Sequence, residues 1–449
     1  MATTYLHRTP GSNGSATTAT MSAWVKRTAA GEANMIFGGQ TGTDGNNRTK
    51  FGIDSSDQMV CQLYNSSSSY DWKTTRLLRD CSGWYHLVFV FDTSDGVAGD
   101  RIRFYCNGER VTDFDTQDAI PLNAELKMST TSDTIYVGAR KTSSTVNQFF
   151  NGCMSFVYFI DGTDYEASTF GSTDATTGEW TLNTSPTVTM GTNGFSVMQN
   201  GNTITDQSSN SNDLTLGAGT LTNTEDCPSD VFATGNSLPK SGVTFTNGNT
   251  TADNQTDDWT SAVATLGAFA GKYYAEYKII DDAAGITRNS FGCCDVRDVQ
   301  VTAEDEFGYA TDRQGDSVGW GGAGLGVVLK NGVNQGSGFN TTYTIGDIIS
   351  VALDCDNGAI YFRKNADAWL NSGDPTSGAT RTGAVTLTTG AGYCLGGTVY
   401  SSTFSANYGN GYFGTTVISS AGTNASGIGI FEYDVPTGYT ALSTKGLNE

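Results

Sequence analysis

Histidine is nearly missing from this chain of 449 residues, which carries only His7 and His86. A Ser-His-Asp or Cys-His site would have to use one of them, and neither has a GxSxG elbow beside it, so nucleophilic hydrolysis is not expected. Basic residues are scarce as well. Against 46 Asp and Glu stand 25 Lys and Arg, a formal charge of −21. Such a field repels phosphate backbones, so nucleic acid is not an expected partner. No apolar run approaches the ~20 residues of a spanning helix. The N-terminal stretch lacks a basic segment followed by an apolar one. A chain folded in a cytoplasm, without membrane insertion, is the expectation. No GxxxxGK[S/T] phosphate loop occurs, and GWGGAGLG at 319–326 reads as a wide turn or bulge. The nine cysteines form no CxxC pair, and Cys61, Cys106 and Cys355 sit in strand-like alternation. Buried reduced thiols are expected rather than a disulfide framework, and zinc is disfavoured.

What the chain has instead is glycine (56 residues), Ser, Thr, Asn and an aromatic share of 11%. Short strands joined by polar turns give that profile, while the aromatics argue for real cores. Strand patterns recur at 20–27, 33–39, 49–54, 58–65, 84–92, 101–106, 133–140 and 153–162. In RIRFYC (101–106), Ile102, Phe104 and Cys106 alternate with Arg101, Arg103 and Tyr105. Asn107-Gly108 then supplies the positive φ angles of a two-residue hairpin turn. A second series follows at 271–280, 291–296, 306–316, 326–334, 346–365 and 392–409, with turns at Asn331-Gly332 and Asp356-Asn357-Gly358. The two series lie too far apart for one sandwich. The fold class expected is all-β, with two tandem β-sandwiches.

Particular phrases sharpen this. Ser22-Ala23-Trp24-Val25, Gly83-Trp84-Tyr85-His86-Leu87, Tyr105-Cys106-Asn107-Gly108, Ile135-Tyr136-Val137-Gly138 and Phe150-Asn151-Gly152 resemble the laminin-G-like, concanavalin-type jelly roll over about 20–175. His86 falls inside that pattern as a framework histidine. Residues 194–216 resemble the strand and polar turn that flank this fold, and are assigned to it as a closing element. Gly346-Asp347-Ile348-Ile349, Leu353-Asp354, Ile360-Tyr361-Phe362, Lys364-Asn365 and Asn407-Tyr408-Gly409 resemble a SPRY domain, another concanavalin-like sandwich, so the two resemblances imply an all-β chain of two tandem concanavalin-like jelly-roll β-sandwiches. Ala366 departs from that pattern, where glycine is usual. The phrase at 222–243 and the ending at 430–449 resemble those of marine phage tail and fibre proteins. The division expected is an arm at 1–19, a laminin-G-like sandwich at 20–221, a linker at 222–242, a SPRY-like sandwich at 243–415 and a tail at 416–449.

Candidate binding residues come from aromatics set among polar loop residues, where a sugar's apolar face stacks on a ring. These are Tyr64, Tyr70 and Trp72 in YNSSSSYDW, and Trp320, Trp369 and Arg313 in the second series. Asp92, Asp95 and Asp100 crowd one hairpin rim, and Asp253, Asp257 and Asp258 another. Such rims can hold Ca²⁺ through oxygen ligands, but a solvated acidic loop is the simpler reading. No other cofactor is implied. Glycosidase chemistry needs two carboxylates at set separation. The nearest run, Glu304-Asp305-Glu306, has the wrong spacing, so an enzyme is not expected.

The resemblance implies a bacteriophage virion structural protein, assembled in the host cytoplasm as a tail fibre, head fibre or capsid decoration. Its implied partners are other virion proteins and a host-surface polysaccharide, with a trimer as the expected oligomer. Purely structural decoration is the alternative, and glycan depolymerisation a third reading.

Overall fold

Two rows of apolar side chains, one from each of two facing sheets, make the first core. Across an eight-stranded antiparallel sheet the paired residues Leu6, Val137, Phe37, Phe51, Cys61 and Trp72 line up in register. Across a six-stranded sheet the row is Phe195, Phe159, Met21, Phe89, Phe104 and Val111. Every one of these is buried in a single cluster, and Phe51 meets Phe89 at a ring separation of 5.5 Å. Alternation with period two puts each row on one face, so two such sheets close by burying them against each other. This is a computed structural model, and it describes residues 3–448 except 44, 67, 239–241, 283–287, 299–305, 310–313 and 322–325.

The chain divides into two units, Met1–Asn223 and Thr224–Glu449. Each is a jelly-roll sandwich of one eight-stranded and one six-stranded sheet. In the second unit, Tyr277 of the strand Lys272–Asp282 stacks on Phe291 of Ser290–Asp295 at 5.0 Å, joining the two sheets through the core. The turn at Asn107 (φ 48°) and Gly108 (φ 83°) has both residues left-handed, as a type I′ hairpin requires. Asn331 (φ 46°) and Gly332 (φ 78°) repeat the device between Val327–Lys330 and Val333–Asn334.

Four segments differ from the sequence reading. The supposed arm contains the strand Tyr5–Arg8, which pairs with Asp133–Val137 and Thr215–Ala218 and sends Leu6 into the core. The polar phrase around Tyr70 is not a loop but the long strand Ser68–Leu77. The supposed linker belongs to the second unit. Phe232 and Ala233 are buried there, and Ala233 N–H donates to the Leu442 carbonyl at 2.9 Å. The supposed tail lies on the outer face of the second eight-stranded sheet, where Phe431, Val435, Tyr439 and Ala441 cover Tyr274, Ala352 and Tyr361. A sheet face carrying Tyr274, Tyr361 and Ala352 needs an apolar cover, and the chain's own end supplies it. The expected strand at 306–316 falls partly outside the described residues; none forms in the described remainder.

Candidate functional site

Where Trp369 stands, the second sandwich opens into a cleft of about 430 Å³. One wall is the loop after the strand Ala359–Lys364, with Trp369, Asp374, Pro375 and Thr376. The other is the C-terminal segment, with Thr423, Asp434 and Pro436. Local chemistry shapes the first wall. Asp374 caps the short turn Pro375–Thr380, its Oδ1 accepting the Thr376 N–H at 2.9 Å and the Thr376 hydroxyl at 2.6 Å. Proline at the first turn position needs no N–H partner. Just before it, Asn371 (φ 54°) and Ser372 (φ 53°) hold left-handed backbone, which costs a serine on the order of 1 kcal/mol.

The second wall is held from beneath by a buried acid. Glu276, fully buried on the strand Lys272–Asp282, accepts the backbone N–H of Glu432 at 2.8 Å and of Tyr433 at 2.9 Å. Its carboxyl also takes Asn407 Nδ2 at 3.2 Å and the Tyr274 hydroxyl at 3.1 Å. Burial lifts its pKa to about 7 despite these four donors. Arg363 joins the walls: one guanidinium nitrogen donates to the Tyr274 hydroxyl and to the Asp434 carbonyl, both at 3.0 Å. The same guanidinium lies 4.8 Å from the Trp369 ring centre, so a cation covers one side of the indole.

The polar lining is set up to accept hydroxyls. Asp434 Oδ1 takes the Thr423 N–H at 2.7 Å and its hydroxyl at 2.8 Å. Those bonds hold its carboxyl below the usual carboxylate range, and the Thr376 bonds do the same for Asp374. Both are therefore charged at neutral pH, exposed, and bonded through Oδ1. A half-buried indole between two ionised acceptors and two threonines can stack a pyranose face and bind its hydroxyls.

The other sequence candidates fall elsewhere. Trp72 is 1% exposed, its Nε1 donating to the Asp118 carbonyl at 2.7 Å and its ring set edge-on to Phe114. Alternation along Ser68–Leu77 sends Tyr70, Trp72 and Thr74 inward together, so Trp72 and Tyr70 pack with the core. Trp320 is fully buried, donating to the Thr341 carbonyl at 3.0 Å and edge-on to Tyr343. Neither tryptophan is a surface platform. Arg313 lies outside the described residues, as do Glu304 and Asp305. Of the aromatic candidates the structure brings Trp369 alone to the cleft. The acids beside it, and Arg363, carry no sequence signal beyond their residue type.

The rim aspartates are engaged by the chain's own groups, Asp92 and Asp95 by their own turns. Asp92 Oδ1 accepts from Ser94 N–H at 3.2 Å and Thr18 hydroxyl at 3.3 Å; Asp95 Oδ1 accepts Val97 N–H at 2.7 Å. Asp100 pairs instead with Arg110. Asp257 takes the Ser401 hydroxyl at 2.6 Å and Asp253 that of Thr403. Among the described residues no group of three or more His, Cys, Asp and Glu is placed to hold a metal ion.

Among the described residues one Ser-His pair occurs: Ser22 Oγ lies 2.9 Å from His86 Nε2. On the other side Trp180 Nε1 donates to His86 Nδ1 at 3.0 Å. An indole nitrogen only donates, so Nδ1 is the acceptor and the neutral ring carries its proton on Nε2. That tautomer donates to Ser22 and cannot take its proton. Burial between Trp24 and Trp180 lowers the His86 pKa to about 3.

No curated protein matches the chain. Among solved structures it is similar to the SPRY domain of human HERC1, at 16% identity over 36% of this chain and 91% of that one, TM-score 0.28. It is similar to the heptameric SAP-like pentraxin of Limulus polyphemus, at 16% identity over 36% of this chain and 71% of that one, TM-score 0.28. A third is the Ruminococcus gnavus IT-sialidase CBM40 bound to alpha2,3 sialyllactose, at 13% identity over 32% and 86%, TM-score 0.24. Likenesses of this extent carry no argument about ligand. Residues 2–163 match the family model described as the concanavalin A-like lectin/glucanases superfamily, from ahead of the Tyr5–Arg8 strand to just past the Gly152–Asp161 strand.

Proposed function

We propose that the chain is a non-enzymatic glycan-binding protein, and that the Trp369 cleft is where a neutral part of the glycan binds. The observation that carries this reading is the half-buried indole flanked by the two ionised, hydroxyl-ready carboxylates of Asp374 and Asp434. The phage-like phrases at 222–243 and 430–449 extend the reading: a virion structural component, on tail, head fibre or capsid, that attaches the particle to a host-surface polysaccharide. Other virion proteins are then its partners, and a trimer its assembly.

A glycan array probed with the intact chain tests the binding claim. Trp369→Ala should abolish the neutral-glycan signal while leaving the thermal melt nearly unchanged. An array blank for the wild type, or a signal that Trp369→Ala leaves intact, overturns it. Labelling the chain in an image of the intact particle tests the virion claim separately.

A further inference from the structure

On the outer face of the first unit's eight-stranded sheet, an acidic chain gathers its cations. Cross-strand pairing places Lys50 beside Gly38 on one side and Gln62 on the other, with Asp71 one strand further on. Arg48, two residues from Lys50 on the same face, pairs across to Gln40 and Tyr64. The hairpin of Arg140–Thr142 and Thr145–Asn147 lies across this face. It can do so because Gly38 has no side chain: a Cβ there would meet Arg140 Cα at 2.8 Å.

Among the described residues the charges are poorly balanced. Burial and the nearby Arg140 push the Lys50 pKa down to about 8, with Lys73 and Arg48 adding repulsion and Asp71 alone opposing it. Among the described residues the Lys50 ammonium forms no hydrogen bond or ion pair, and the Arg140 guanidinium spends only Nε, on Asn147 Oδ1 at 3.0 Å. Asp71 is already engaged by Gln62 Nε2 at 2.8 Å and by the Ser69 hydroxyl at 2.8 Å, and Lys73 is paired with Asp54. Buried polar atoms around the cations also lack partners among the described residues: Gln40 Oε1, Gln62 Oε1, Arg48 Nε and Thr142 Oγ1. Gln40 is 1% exposed, so its amide oxygen has lost water without gaining a donor among the described residues.

A purely structural face would not be built this way. Among the described residues one acid, Asp71, acts on Lys50, while Asp54 is taken by Lys73. The missing element is an anion for Lys50 and Arg140. Tyr64, whose ring holds the Arg48 guanidinium at 4.4 Å, adds an aromatic wall. We propose that this face binds an acidic sugar, a hexose carrying a carboxylate or a sulfate, with Lys50 and Arg140 on the anion. The inference rests on the glycan-binding reading but uses a different site on a different unit.

Calorimetric titration of the full chain at low salt tests it, with trigalacturonate, a sulfated galactose oligosaccharide that carries no carboxylate, and neutral galactotriose as probes. The acidic probes should bind, and the stronger of the two identifies carboxylate or sulfate as the recognised group. Lys50→Gln and Arg140→Gln should each weaken that binding by about tenfold, the weight of one charge-assisted hydrogen bond. Lys50→Arg should restore it, and Trp369→Ala should leave it unchanged. Wild-type affinity should fall as pH rises through 8, and that of Lys50→Arg should not. No binding of either acidic probe, or binding that both Gln variants retain, overturns the proposal. So does equal affinity for a single-stranded oligonucleotide, which would make the face a general anion surface. Loss of acidic binding in Trp369→Ala but not in Lys50→Gln would move the ligand to the cleft, sinking this inference and keeping the other.

Discussion

The buried carboxylate of Glu276 holds the backbone N–H of Tyr433 at 2.9 Å, tying the chain's end to the middle of a sheet about 150 residues earlier in the sequence. Asp434, the next residue, lines the cleft. Replacing Glu276 by Ala leaves two backbone donors, Asn407 and Tyr274 facing a void, and should cost about 3 kcal/mol. Chemical denaturation of the second unit's transition measures the cost, and neutral-glycan binding should be lost with it.

The same residue sets a pH dependence. Burial raises its pKa from 4.5 to about 7, so the folded chain keeps a proton that the unfolded chain releases between those values. Its contribution to stability is complete below about pH 4.5, declines as pH rises, and is gone above about pH 7. Glu276→Gln should flatten that slope in urea-unfolding midpoints taken across the range. A slope that persists in the variant assigns it to another group.

In the first unit His86 works the other way. Burial lowers its pKa from 6.5 to about 3. The unfolded chain therefore takes up a proton that the folded chain refuses. Stability from this group is full above about pH 6.5 and lost as pH falls toward 3. NMR titration should find the His86 ring neutral down to about pH 4, with its proton on Nε2. Titration near 6.5 would contradict the Trp180 bond.

Tryptophan substitutions separate core from site. Trp72→Ala empties a sealed space and should destabilise the first unit by about 3–5 kcal/mol. Trp369→Ala removes a half-buried ring at a cleft and should cost far less stability. Thermal melts of both variants make the comparison.

These two residues also show what the sequence made legible. Both stand among polar neighbours, and nothing in local composition tells them apart. What separates them is register. Trp72 falls in step with Tyr70 and Thr74 along a strand whose opening serines disguise it as a loop, whereas Trp369 follows the end of its strand. Strands with strong alternation, such as Gln58–Asn65 and Ile102–Cys106, and the Asn-Gly turns were readable because their information is local. The cleft was not, since its second wall comes from the C-terminal segment and is held by one inward acid, Glu276, in an otherwise ordinary strand. The cation-rich face needed cross-strand pairing as well: Lys50, Arg48 and Arg140 meet only once the sheet is assembled.

Thiol chemistry checks burial directly. Seven of the nine cysteines are buried, while Cys153 and Cys227 are partly exposed, and all nine are free. Burial pushes the buried Cys355 and Cys394 thiols up to about 12. A disulfide reagent should therefore label two thiols in the native chain and nine after denaturation.

The central claim is that the Trp369 cleft takes a sugar, and the indole N–H signals of the seven tryptophans report on it in one NMR titration with a neutral oligosaccharide from the array. The Trp369 signal should shift saturably while those of Trp72 and Trp320 stay fixed. A bound oligosaccharide that leaves the Trp369 signal unmoved would contradict the account.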